Sequence, residues 1–217
     1  MKRLVIFDLD GTLLHTIADL AQSTNYALAQ LGYPTHPQEA YPLMVGNGIH
    51  KLLERALPAN ERTDENVRRM RKAFVPHYDV HNTERSTPYP GIRELLSELH
   101  RQGIRLAVAS NKYQEATEKL VNHYFPAIPF QIVLGQREGV PAKPDPAIVY
   151  KILKHTQTTP EEALYIGDSG VDMQTALNSG VTACGVTWGF RPRAELESFH
   201  PHHMVERAAE ILPLIRL

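Results

Sequence analysis

The chain has 217 residues, of which 42% are hydrophobic and 22% charged, the composition of an ordinary soluble globular protein with room for one substantial core and a smaller accessory unit. Its 23 basic and 24 acidic residues nearly cancel, giving a net charge of -1, so neither a nucleic acid nor an anionic membrane is indicated as the main partner, and small charged metabolites are compatible. A single cysteine, Cys184, excludes an internal disulfide and fits a reducing compartment.

Met1-Lys2-Arg3 imitates the start of a signal peptide, but the apolar run behind it is interrupted at Asp8, too soon for an h-region. No stretch approaches the length of a membrane span, and a cytoplasmic location is expected. The run itself, Leu4-Val5-Ile6-Phe7, has no polar alternation and suits the central strand of a parallel sheet covered on both faces. It ends in Asp8-Leu9-Asp10-Gly11-Thr12. Side chains repeat every second residue in a strand, so Asp8 and Asp10 begin on one face. Two carboxylates that close repel unless a cation lies between them. Gly11 permits a sharp turn, and the Thr12 hydroxyl can orient a carboxylate or a phosphate.

From Thr16 the period becomes helical. Thr16 with Asp19 forms an N-cap signature, and Ile17, Leu20, Ala21, Thr24, Leu28 and Leu31 mark a first helix stopped by Gly32. A second helix carries Ile49, Leu52, Leu53, Ala56 and Leu57. A third, from about Thr63, carries Val67, Met70 and Phe74 and is kinked or ended by Pro76. Its basic run Arg68-Arg69-Met70-Arg71-Lys72 follows Asp64 and Glu65, the order the helix dipole favours, and reads as a solvated face. Residues 16–80 are therefore expected to form an all-helical insert, and residues 1–15 and 81–217 an α/β core.

In that core a linker from His81 to Pro90 precedes a helix over Ile92 to Leu99. A strand at Ile104 to Ala109 runs into Ser110-Asn111-Lys112, a helix passes through Leu120, and a strand follows at Gln131 to Leu134. Asp145-Pro146 caps a further helix through Ile152. A strand at Ala163 to Ile166, a helix over Val171 to Asn178, a strand at Val181 to Val186 holding Cys184, and a last helix from Glu206 complete the chain. The alternation implies a doubly wound parallel sheet.

In open parallel sheets ligands bind beyond the carboxyl ends of the strands. Those ends carry Asp8 and Asp10, then Ser110 and Asn111, then Gly167-Asp168-Ser169-Gly170-Val171-Asp172, with Lys143 in a loop at a comparable edge. Each has a plain account as a turn, a surface lysine or a helix start, but together they hold the parts for metal-assisted phosphoryl transfer. Carboxylates supply hard oxygen ligands for magnesium, and a metal with one lysine would cancel the repulsion between an attacking aspartate and a phosphate.

The segments Asp8 to Thr12, Ser110-Asn111, Lys143-Pro144-Asp145-Pro146 and Gly167 to Asp172 resemble the four ordered motifs of the haloacid dehalogenase superfamily, whose core is Rossmann-like and can carry a helical cap inserted after the first motif. The resemblance implies that Asp8 is the nucleophile forming an aspartyl-phosphate and that Asp10 is the general acid and later base. It implies magnesium held by the Asp8 carboxylate, the Asp10 carbonyl and Asp168, with Asp172 assisting. Ser110, Asn111 and Thr12 would meet the phosphoryl group and Lys143 would neutralise charge beside it. An aspartate at position 10 favours a phosphatase or mutase over a dehalogenase.

Val45-Gly46-Asn47-Gly48, Ser110-Asn111-Lys112, Gly167 to Met173 and Gly185 to Phe190 resemble the phosphoglycolate phosphatases of that superfamily, which implies a 2-phosphoglycolate substrate, with Gly46 and Asn47 on the cap side. Pyrophosphate, sugar phosphates and nucleoside monophosphates stay open as substrates, and a sugar phosphomutase and a non-catalytic metabolite-binding module stay open as alternatives. The loop continues Gly48-Ile49-His50 where mutases tend to carry an arginine, which disfavours the mutase. His15, where an acidic or amide residue is more usual, reads as a hinge residue. His200-Pro201-His202-His203 and His77 with His81 lack the acid or cysteine pattern of a zinc site. Trp188 and Phe190 are expected to pack at the site rim, and Arg191 and Arg193 to be exposed. A monomer or homodimer is expected.

Overall fold

The computed structural model describes residues 1–216. In chain order it runs β1 (Leu4–Phe7), β2 (Leu14–His15), α1 (Ile17–Gln30), α2 (Gly48–Ala56), α3 (Asp64–His81) and β3 (Thr87–Pro88). It continues with α4 (Ile92–Arg101), β4 (Arg105–Tyr113), α5 (Gln114–Tyr124), β5 (Ile132–Gln136), α6 (Ala147–Thr156) and β6 (Ala163–Gly167). The last elements are α7 (Gly170–Ser179), β7 (Thr182–Val186), α8 (Arg193–Ser198), β8 (His203–Val205) and a 3-10 helix over Ala208–Arg216.

Six strands form one parallel sheet in the order β5-β4-β1-β6-β7-β8. The apolar run that opens the chain is thus central, with β4 on one side and β6 on the other. Its alternation divides the core in two: Val5 and Phe7 pack with Leu96, Leu120 and Ile211 on one face, while Leu4 and Ile6 pack with Ile152, Tyr165 and Met173 on the other. Strand order reverses beside β1, which opens a crevice at the carboxyl ends of β1, β4 and β6, where such sheets bind ligands.

Between β2 and β3 the chain is helical, and α1, α2 and α3 enclose their own core of Leu28, Tyr41, Leu53, Met70, Phe74 and Tyr78. The basic run on α3 is exposed at Arg68, Arg69, Arg71 and Lys72. Pro76 does not end α3, which continues to His81. The carbonyl that Pro76 leaves unbonded is that of Lys72, on the exposed face, where water can satisfy it.

Other elements differ from the sequence reading. The expected linker after His81 contains β3, whose Thr87 and Pro88 pair antiparallel with His15 and Leu14. Thr16 does not cap α1 with its side chain, and Asp19 serves a distant turn: its carboxylate, fully buried, accepts from the Ser86 N–H at 2.8 Å, the Ser86 hydroxyl at 2.5 Å and the Arg85 N–H at 3.0 Å. The final helix is 3-10 rather than α, with Pro213 inside it to remove an α-type donor. The histidine-rich segment enters β8, and His202 Nδ1 accepts the Ala183 N–H at 3.1 Å.

Candidate active site

Asp8 follows β1 directly, and its N–H still bonds to Ile166 O at 2.9 Å, so the strand's parallel pairing holds the residue in place. The chain then turns sharply. Leu9 O accepts from the amides of Thr12, Leu13 and Leu14, and Gly11 adopts φ 85° in the left-handed region. Glycine is needed there for a second reason, since a Cβ would collide with the Asp168 carboxylate. Gly189 faces Asp168 from another loop with the same constraint.

Asp168 and Asp172 arrive from the β6–α7 junction. Ser169 caps α7 with Asp172 as its reciprocal partner: the Ser169 hydroxyl donates to Asp172 Oδ2 at 2.5 Å and the Ser169 N–H to the same oxygen at 3.2 Å. Asp172 Oδ1 accepts from Lys143 Nζ at 2.7 Å and from the Tyr165 hydroxyl at 3.2 Å. Lys143 Nζ also donates to Ala109 O at 2.9 Å and to the Tyr165 hydroxyl at 3.0 Å, and lies 3.0 Å from Asp8 Oδ1. Asp168 accepts from the Phe190 N–H at 2.7 Å and from Thr12 Oγ1 at 3.4 Å.

Asp8, Asp168 and Asp172 therefore bring carboxylate oxygens within 4.8 Å of one another, all buried. Three acids face one lysine. Burial, and then the Asp172 charge, pushes Asp8 up to about 7 against the pull of Lys143, and the same two causes with Asp8 hold Asp168 well above the usual carboxylate range. Burial alone would lower Lys143, but Asp172 and Asp8 outweigh it and keep the ammonium charged. Despite its ion pair, Asp8 Oδ1 accepts no hydrogen bond. A buried, unbonded carboxylate oxygen among acids that repel is what a hard divalent cation would satisfy, and the all-oxygen donor set fits magnesium. Both Asp172 oxygens are tied by Lys143, Tyr165 and Ser169, whereas Asp8 Oδ1 accepts no hydrogen bond and Asp168 Oδ1 has only a 3.4 Å contact from Thr12, so Asp8 and Asp168 are the better-placed direct ligands.

The Asp10 carboxylate stands apart from this cluster. Its Oδ1 accepts from Thr16 Oγ1 at 2.7 Å, and its Oδ2 lies 3.0 Å from Lys112 Nζ. Ser110 and Asn111 are buried on β4, which bulges after Ala109 and extends to Tyr113. The Asn111 side chain is a tie: it donates to Gly46 O and Lys143 O, both at 3.1 Å, and accepts the Lys143 N–H at 2.9 Å. Gly46 thereby comes to the site, and it lines, with Asp8, Asp10, Ser110 and Asn111, a cavity of about 40 Å3 roofed by α2 and α3. Asn47 is not in that lining; its Oδ1 accepts from Arg55 at 2.8 Å.

Lys112 and Tyr78 also line the cavity; the sequence reading names Lys112 only within Ser110-Asn111-Lys112, without a role, and does not single out Tyr78. Ser110-Asn111 was expected to close a strand at Ala109, yet β4 runs on, and the adjacency of Lys112 to those two residues was the available signal. Arg191 is not a free surface residue: it donates to Pro42 O and to Val45 O, the latter at 2.6 Å, binding the β7–α8 loop to the segment before α2. Arg193 is exposed and paired with Glu197 and Glu206. Trp188 Nε1 donates to Thr12 O at 3.1 Å, and His15 packs edge-on against Tyr89 and Phe190. His77 contacts Ser23 at 3.0 Å and His81 contacts Glu84 at 2.6 Å. Burial pushes the Cys184 thiol up to about 12. Among the described residues no helix is long and apolar enough to cross a membrane.

An acid cluster, a buried lysine and a further carboxylate set apart from them lie at the switch point of a parallel sheet, beneath an inserted helical unit, an arrangement of the α/β class. Residues 5–186 match the family model of the haloacid dehalogenase-like hydrolases, and the chain belongs to that family. The phosphoglycolate phosphatase of Mannheimia succiniciproducens is 33% identical over 219 residues, with 98% of each chain covered. A crystal structure from Lactobacillus delbrueckii subsp. bulgaricus, provisionally assigned as a phosphoglycolate phosphatase, superimposes with a TM-score of 0.92 at 33% identity over 99% of both chains. A predicted phosphoglycolate phosphatase from Haemophilus somnus gives 0.89 at 27% identity, covering 98% of this chain and 97% of its own.

Proposed function

We propose that the chain is a magnesium-dependent phosphoric monoester hydrolase whose substrate is a small phosphate monoester, 2-phosphoglycolate first among them. The observation that carries the reading is the meeting of Asp8, Asp168 and Asp172 around Lys143 at the strand ends, with Asp10 held just outside the cluster. Full-length likeness to the Mannheimia phosphoglycolate phosphatase supports the choice of substrate.

In this reading Asp8 attacks phosphorus, and the ester oxygen leaves with a proton from Asp10. Asp10, now a carboxylate, then takes a proton from the water that attacks the aspartyl-phosphate, so phosphate departs, Asp8 is restored as a carboxylate and Asp10 as the acid. The Ser110 hydroxyl and the Asn111 backbone amide hold phosphoryl oxygens, and Lys143 offsets their charge. Asp8, Asp168 and the Asp10 backbone carbonyl would hold magnesium, with Asp172 orienting Lys143 from behind. When bound, the ion supplies neutralisation of the phosphate dianion and of the acid cluster. Thr12 orients Asp168. Residues 16–80 act as the cap, with Gly46 facing the leaving group and Asn47 bracing the same loop through Arg55. Lys112 is the only basic side chain among the described residues that line the cavity, and no arginine for a second phosphate stands there, which favours hydrolysis over a bisphosphate-dependent mutase reaction.

Phosphate release across a metabolite panel, with magnesium or with chelator, tests this. Turnover of 2-phosphoglycolate should require magnesium and fall at least about a thousandfold in Asp8→Asn, while Arg69→Ala, on the exposed face of α3, should change it by less than about twofold. Full activity in Asp8→Asn would refute the covalent route. Preference for pyrophosphate or a sugar phosphate would overturn the substrate.

A further inference from the structure

Lys112 is the only basic residue lining the cavity among the described residues. Its side chain is 4% exposed, and it has no surface role to explain it. Nζ lies 3.0 Å from Asp10 Oδ2, donates to the Tyr78 hydroxyl at 2.8 Å, and sits 4.7 Å from the centre of the Tyr78 ring. An ammonium has three N–H donors, and these contacts occupy two. The third is left for the cavity, whose apolar walls include Leu20, Ile49, Leu52 and Phe74. A buried charge with an unused donor in a largely apolar enclosure favours an anion, because the few waters that the space can hold compete for it only weakly.

We propose that Lys112 receives an anionic group on the leaving alcohol, so that the cavity selects small monoesters bearing a carboxylate one or two carbons from the ester oxygen. The inference rests on the hydrolase reading above and assigns its specificity to one residue. Because Nζ touches Asp10, the group that protonates the ester oxygen, the anion it reaches must lie close to that oxygen. The volume of about 40 Å3, room for roughly three waters, sets the same limit on size. Tyr78 comes from α3, so the receptor is complete only when the helical unit is docked on the core.

Three monoesters of similar size separate the possibilities: 2-phosphoglycolate, ethyl phosphate and O-phosphoethanolamine, whose leaving groups are anionic, neutral and cationic. Wild type should prefer them in that order by kcat/KM. In Lys112→Met the preference for 2-phosphoglycolate over ethyl phosphate should collapse by about 10- to 100-fold, with the discrimination against O-phosphoethanolamine relaxed. Tyr78→Phe, which keeps the ring and frees a donor, should retain the order of preference. Glycolate should inhibit wild type more strongly than ethylene glycol does, a readout that needs no variant to fold. If Lys112→Met lowers all three substrates by one factor, Lys112 serves Asp10 alone and the proposal fails. Wild-type activity without charge preference also overturns it. No release from any of the three would instead refute the small-monoester reading beneath it.

Discussion

At the scale of single residues, the three acids are balanced against one lysine, and the sign of that imbalance can be measured. The Asp8 carboxyl in the fold lies near 7, above the ordinary carboxylate value of about 3.9 in an unfolded chain. Between those values the folded chain binds a proton that the unfolded chain has released, so this group's contribution to stability falls as pH rises from about 4 to about 7. Asp168 acts in the same direction. In chelated protein, Asp8→Asn should therefore be no less stable than wild type at pH 4 and more stable by a few kcal/mol at pH 7.5, as read by urea unfolding. Asp168→Asn should likewise raise the metal-free Tm at pH 7.5 and abolish the rise that magnesium gives wild type. Lys143→Met has the opposite sign, since it leaves Asp8 and Asp172 buried without their cation, and should cost about 3–5 kcal/mol.

At the scale of elements, what could be read in advance follows from where each residue stands. Asp8, Asp168 and Asp172 lie at strand ends or helix starts and Ser110 at the irregularity in β4, so the strand pattern alone brought them to one edge, and Lys143 joined them through the adjacent loop. Lys112 and Tyr78 meet by docking of α3 on β4, which no local pattern records. Asp19 has the look of a first-turn acid, yet its carboxylate closes a turn 66 and 67 residues away, a contact set by tertiary geometry. The β2–β3 pair is two residues long on each side, too short to leave a period. Asp19 and that pair tie the two crossings between the sheet and the helical unit. Replacing Asp19 with Ala strands the Ser86 and Arg85 amides and should cost about 2–4 kcal/mol in denaturant unfolding, with new proteolytic cleavage near residues 82–88.

At the scale of the whole molecule, the helical unit meets the core through apolar packing on Tyr113, Ala116 and Phe190 and through a small set of polar ties. Arg191 reaches Pro42 O and Val45 O, Asn111 reaches Gly46 O, the Tyr113 hydroxyl donates to Asp79 at 2.5 Å, and Lys119 donates to Asp79 O. Such contacts are few enough to open and re-form during turnover. Arg191→Gln removes the charge of the tie to the 42–45 segment, and it should raise KM severalfold with a smaller change in kcat. Fluorescence energy transfer between labels on α2 and α8 should show the unit further from the core in the absence of substrate.

The small cavity beneath the helical unit has a kinetic consequence. Asp8, Asp10 and Ser110 line it together with residues of α2 and α3, so the departing alcohol and the incoming water share one small space. The alcohol must then escape before the hydrolytic water can enter, which orders the products: alcohol first, phosphate last. Phosphate should be a competitive inhibitor against the ester, and an added nucleophilic alcohol small enough to enter should intercept the phosphorylated enzyme and be recovered as a new ester.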